Sequence, residues 1–118
     1  MIELETMDQY NNMCEKAKDL VVLYMYGISF APDRLLPLVE EMEEKYSGSI
    51  SFYKVCAQRN IQIFSKYFVS SVPSVLMMSK GKYGGTEMHV HATLHEQDIT
   101  KENLMTLISE YRNDVPLK

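Results

Sequence analysis

The segment Leu20-Val-Val-Leu-Tyr-Met-Tyr26 constrains the fold more than any other stretch of the chain. It is apolar on both faces, and a strand of that kind is stable only where both sides of its sheet are covered. The surrounding apolar run, Leu20 to Phe30, includes Gly27 and Ser29 and is shorter than the roughly 20 residues a bilayer demands. The cover must therefore come from the chain's own helices, and amphipathic segments lie on each side. Upstream, Thr6 and Gln9 form a capping-box pattern, and Tyr10, Met13, Cys14 and Ala17 recur at helical spacing. Downstream, Leu35, Leu38, Val39, Met42 and Tyr46 mark one face, while Glu40, Glu41, Glu43, Glu44 and Lys45 mark the other. This spacing predicts a helix that starts near Asp33 and stops at Gly48. Pro37 lies inside the pattern and removes a backbone hydrogen bond, so a kink is expected there.

The other segments alternate in the same manner. Ile2 to Glu5 reads as a short opening strand, Ile50 to Cys56 as a strand, and Asn60 to Tyr67 as a short helix. Val75 to Met78 is a strand entered from Pro73. Ser79 to Gly85 is a turn, Thr86 to Ala92 a partner strand, and Thr100 caps a last helix with Leu104, Leu107, Ile108 and Tyr111 facing inward. The order β-α-β-α-β-α-β-β-α implies an α/β fold: a central mixed sheet of about five strands flanked by about four helices, with parallel pairing early and a hairpin late. At 118 residues without an internal repeat or linker, residues 1–118 form a single domain.

Charge narrows the function. Twelve Lys plus Arg against sixteen Asp plus Glu leave a net charge of −4, and the basic residues are scattered. Neither nucleic acid nor an anionic membrane is an expected partner. Two cysteines, Cys14 and Cys56, form neither a disulfide framework nor a zinc pattern. The opening Met-Ile-Glu-Leu-Glu is acidic where a targeting segment is basic, so a reducing, cytoplasmic setting is expected. His89, His91 and His95 suggest a metal cluster at first sight, but no cysteine lies near them, and neither a metal nor another cofactor is expected.

Val21-Val22, Pro37, Lys54, Lys66-Tyr67 and Val72-Pro73-Ser74 keep an ungapped spacing, to about Gly81, that resembles the thioredoxin family. Beyond a short insertion around Thr93 to Ile99, Thr100-Lys-Glu-Asn-Leu104 falls on that family's last helix. The resemblance implies the thioredoxin fold, with Val72-Pro73 matching the family's cis-proline. The departures fall on the chemistry. Where the family carries Trp-Cys-Gly-Pro-Cys, this chain has Ile28-Ser29-Phe30-Ala31-Pro32, and Leu23 stands at the family's buried aspartate. Dithiol exchange needs a low-pKa thiolate and a second, resolving thiol, which Ser29 and Pro32 do not supply. Lys54 also loses the acid it approaches in the family, so it must snorkel, find another carboxylate or shift its pKa downward.

The resemblance thus implies a scaffold that has lost its redox chemistry. Domains of this fold without the cysteine pair serve in protein recognition, as in the non-catalytic domains of disulfide isomerases. The expected function is a protein-binding or scaffold module, using an apolar groove rimmed by Ile28, Phe30, Ala31, Val72, Pro73 and His89. No catalytic residue is assigned. A Ser29–His89 pair would be close enough to react on the family's fold, but it lacks an orienting acid and a nucleophile elbow. The alternative is an enzyme that uses glutathione or keeps thiol chemistry through Cys14 or Cys56.

Overall fold

A computed structural model of the chain describes residues 1–17, 19–29, 33–46, 48, 50–67, 69, 71–80 and 87–112. The elements are β1 (Ile2–Glu3), α1 (Met7–Lys16), β2 (Val21–Tyr26), α2 (Leu36–Lys45), β3 (Ser51–Cys56), α3 (Ile61–Phe64), β4 (Ser74–Lys80), β5 (Met88–His95) and α4 (Lys101–Arg112). Single 3₁₀ turns follow α3 (Ser65–Tyr67) and precede α4 (Glu96–Asp98). The strands lie in the order β1-β3-β2-β4-β5. β1 and β2 pair parallel to β3, while β4 runs antiparallel to both β2 and β5.

β2 is the strand whose two faces are both apolar, and it builds two cores. Val21, Leu23 and Met25 pack with Leu4, Tyr10, Met13, Cys14, Val55, Ile63, Leu76 and Met78 beneath α1 and α3. Val22 and Tyr24 pack on the other side with Val39, Met42, Phe52, Val75, Met77, Leu104 and Ile108 beneath α2 and α4. Each fully buried aliphatic side chain contributes roughly 1.5–3 kcal/mol. The capping box at Thr6 is formed: its hydroxyl accepts the Gln9 N–H, and the Gln9 side chain accepts the Thr6 N–H.

Two expectations are corrected. α2 begins at Leu36 rather than near Asp33, which puts Pro37 in the first turn. A proline there gives up an N–H that has no partner within the helix, so the reason for a kink disappears. β5 extends to His95, because Thr93 and Leu94 pair with Leu76 and Val75; it begins at Met88, and Thr86 of the expected strand lies outside the described residues. The pairing jumps from Met77–Ala92 to Met78–Val90, leaving His91 as the extra residue of a β-bulge. That ring meets the buried Ser79 hydroxyl at 2.7 Å through Nε2 and stacks on Tyr111 at 5.2 Å.

Leu23 gives this architecture a test. Alternation along the paired strands puts it on the opposite face from Lys54, because Lys54 pairs with Tyr24. An aspartate there would replace a fully buried leucine within the cluster beneath α1 and α3. Leu23→Asp is expected to lower unfolding stability by more than about 3 kcal/mol at neutral pH. The buried carboxyl would bind its proton more tightly folded than unfolded, so part of the loss should return as the pH falls from neutral towards the unfolded value of about 4, with no further gain below it. Urea titrations at two pH values measure both effects.

Candidate functional site

β2 and β3 end together at Tyr26 and Cys56, and β4 starts beside them at Ser74, opposite Met25. These strand ends, the turn Gly27 to Ser29 and the segment leading into α2 enclose an open cleft of about 760 Å³. The turn is clamped from below. Gln58 Oε1 accepts the Ile28 N–H at 3.0 Å and lies 3.7 Å from the buried Cys56 thiol. A Cβ on Gly27 would stand 3.0 Å from Val72 Cγ2 and 3.1 Å from Gln58 Nε2, so a side chain here would have to push both neighbours back by a few tenths of an ångström. Ile28 remains 58% exposed at the rim.

Two tyrosines on alternate β2 positions carry hydroxyls out of the core towards acids. Tyr24 donates to both Asp33 carboxylate oxygens at 2.9 Å. Asp33 Oδ1 also accepts the Leu35 and Leu36 N–H groups, each at 3.0 Å, and so caps the start of α2. Tyr26 stacks on Tyr24 at 5.9 Å and donates to Glu3. Glu3 lies opposite Lys54 across β1 and β3, with an N–O separation of 4.0 Å. Lys54 has thus found another carboxylate. Burial raises the pKa of both phenols, and the hydrogen bond to Asp33 or Glu3 raises it further; Arg59 acts against the rise at Tyr26. At neutral pH these hydroxyls act as hydrogen-bond donors rather than as bases.

The sequence-predicted residues divide. Ile28, Ser29 and Pro73 line the cleft, and the Val72–Pro73 peptide bond is cis. The Val72 side chain packs into the core beneath α1 and α3 and seals the turn at Gly27. Phe30, Ala31 and Pro32 lie outside the described residues. His89 is a correction: it pairs with Ser79, near the far end of β4, whereas the cleft lies at Ser74. Five residues of strand span roughly 16 Å, which is beyond contact with Ser29. The antiparallel hairpin carries His95 to the Ser74 end instead. Ser74 Oγ donates to the Ser71 carbonyl at 2.7 Å and meets His95 Nδ1 at 3.0 Å. With its one proton given to Ser71, the hydroxyl accepts, and His95 carries its proton on Nδ1.

Sequence reasoning missed Tyr24, Tyr26, Asp33, Arg34, Arg59 and Glu96, which also line the cleft. A signal was present for two of them, since tyrosines on a buried strand need hydroxyl partners. Asp33 was legible as an Asx turn two residues before a backbone N–H.

The thioredoxin family model matches residues 1–110, and the chain belongs to the thioredoxin family. It is 29% identical over 75 residues to a thioredoxin of Rickettsia bellii, a match covering 62% of this chain and 71% of that protein. It is 27% identical over 74 residues to the chloroplastic M-type thioredoxin of Brassica napus; that match covers 62% of this chain but spans 42% of the Brassica protein. Among solved structures, the germline-specific thioredoxin Deadhead of Drosophila melanogaster superposes with a TM-score of 0.75 at 19% identity, over 93% of this chain and 98% of that one. The Trichomonas vaginalis thioredoxin also gives 0.75, at 19% identity over 94% and 96%. The mixed five-stranded sheet with four helices is the thioredoxin fold. No helix among the described residues is long and apolar enough to cross a membrane.

The tyrosines make the site's polar network measurable. Burial also pushes Tyr10 up to about 12 and raises Tyr67, to which Tyr10 is hydrogen-bonded. A phenol with a raised native pKa holds its proton more tightly folded than unfolded. Its stabilisation is complete below the unfolded value of about 10 and is lost as the pH climbs through the native one. Stability should therefore fall above about pH 10, with part of the tyrosinate absorbance appearing only as the chain unfolds. Asp33→Ala should cost about 0.5–2 kcal/mol through the lost cap. A double-mutant cycle with Tyr24→Phe should show a coupling of at least about 0.5 kcal/mol in denaturant unfolding.

Proposed function

We propose that this domain is a redox-inactive member of the thioredoxin family that acts as a protein-binding or scaffold module. The partner docks at the cleft beside Ile28, Ser29 and Pro73. The carrying observation is in the sequence: by its resemblance to the family, the chain has Ser29 and Pro32 where the family places its two cysteines. A serine hydroxyl offers no thiolate, and proline offers no resolving group. The remaining thiols support the same reading. Cys14 and Cys56 are 4% and 0% exposed, on opposite faces of the sheet. Burial pushes the Cys14 thiol up, away from its reactive form. Both thiols suit a reducing, cytoplasmic setting, in which they stay free.

One observation favours a second reading. Cys56 lies in the cleft wall beneath the turn, within reach of Gln58. A thiol-dependent oxidoreductase working through Cys56 would use that position. Reduction of insulin by dithiothreitol separates the two readings. On the binding reading the protein adds nothing to the background rate, and Cys56→Ser changes nothing. Turnover that disappears in Cys56→Ser would establish the enzyme instead. The docking face is tested by affinity capture from native lysate: Ile28→Ser should lose the partner, while Glu40→Lys with Glu44→Lys keeps it, each variant melting as the wild type does.

A further inference from the structure

We infer that the segment docked in this cleft is an acidic peptide, held by Arg34 and Arg59 over the apolar rim of Ile28 and Pro73. This inference rests on the protein-binding reading above and specifies the partner's chemistry. The charged groups around the cleft differ in what each already holds. Two of the acids are engaged: Asp33 by the Tyr24 hydroxyl and two N–H groups, Glu3 by Tyr26 and Lys54. Arg34 and Arg59 also border the cleft, are exposed, and take part in none of the ion pairs among the described residues. The cleft's unused polar capacity is therefore mainly that of two guanidiniums, with five N–H donors each and no acceptor. Their planar forks match carboxylates two bonds at a time. Glu96 also lines the cleft and has no side-chain hydrogen bond or ion pair among the described residues, so it offers an acceptor for a peptide N–H.

The setting makes the arginines informative. The chain as a whole carries a net charge of −4, yet the cleft gathers Arg34, Lys54 and Arg59 against Asp33 and Glu96, and of these cations Arg34 and Arg59 are in no ion pair among the described residues. Elsewhere such a surface would repel an acidic segment; here it attracts one and discriminates against a basic one. Shape favours a chain over a small solute, because the cleft is open and its rim presents an exposed isoleucine beside a proline.

Fluorescence anisotropy tests the assignment with two labelled peptides, one alternating leucine with glutamate and the other leucine with lysine. The glutamate peptide should bind, more weakly as salt rises, and the lysine peptide should not. Arg34→Glu combined with Arg59→Glu should weaken the glutamate peptide at least about tenfold, equivalent to 1.4 kcal/mol, and admit the lysine peptide. Arg59→Gln, a milder change at an exposed position, should give a smaller loss in the same direction. Equal binding of both peptides, abolished by Ile28→Ser, would overturn the acidic preference and leave the docking face standing. Failure of the glutamate peptide to bind, or binding that survives the double reversal with unchanged melting, would overturn the assignment. Insulin reduction by the wild type would show instead that the underlying binding reading is wrong.

Discussion

The hydroxyl of Tyr24 joins the core to the cleft. Its ring is 1% exposed among the residues beneath α2 and α4, so burial fixes where the oxygen emerges. The oxygen then holds Asp33, and Asp33 holds the first free N–H groups of α2. Core packing, the starting point of a helix and the position of a charged cleft residue thus depend on one side chain. An isolated carboxylate at a helix start contributes a fraction of a kcal/mol by its charge and about one more by capping. Here it also satisfies a phenol that would otherwise lose its hydrogen bond on burial, which makes the arrangement cooperative.

The turn above the cleft is held by sterics and hydrogen bonding together. Gly27 lets the backbone approach Val72 and Gln58, and Gln58 then takes the Ile28 N–H. The main chain from Gly27 to Ile28 is therefore tied down while the Ile28 side chain stays exposed. Preorganisation of this kind lowers the ordering cost of binding, since fewer loop degrees of freedom are lost when a partner arrives.

The fold was largely legible because burial of β2 on both faces demands helices on each side of its sheet, and the helical stripes to supply them were visible. Boundaries were less legible where local signals compete. Leu35 looked helical by its spacing, but Asp33 draws the Leu35 and Leu36 N–H groups to itself, and the helix starts later. The site was legible at Ile28, Ser29 and Pro73, which adjoin recognisable chain features. It was not legible at His89, because strand direction decides which end of β5 reaches the cleft, and no local pattern states direction. The bulge at His91 adds one residue to that register and is likewise invisible without the partner strand. Arg34 and Arg59 are ordinary exposed cations in sequence. Their common position depends on β3 ending beside α2, a long-range consequence of sheet order.

The two faces of β2 differ in the chemistry they allow. Leu23 faces an apolar core, whereas Tyr24, Tyr26, Lys54, Glu3 and Asp33 form the polar side. Thiol exchange at the turn would need a group that accepts and returns a proton near neutral pH. The phenols are held protonated by burial and by their carboxylate acceptors. Leu23 offers no proton, and donors engage Asp33 and Glu3, whereas Glu96 lines the cleft with no side-chain partner among the described residues. Near the opening, fixed hydrogen bonds are bordered by the cationic donors Arg34 and Arg59 and by the acceptor Glu96. Such a surface can orient and retain a ligand through fixed donors and acceptors, which is what the proposed binding role requires of it.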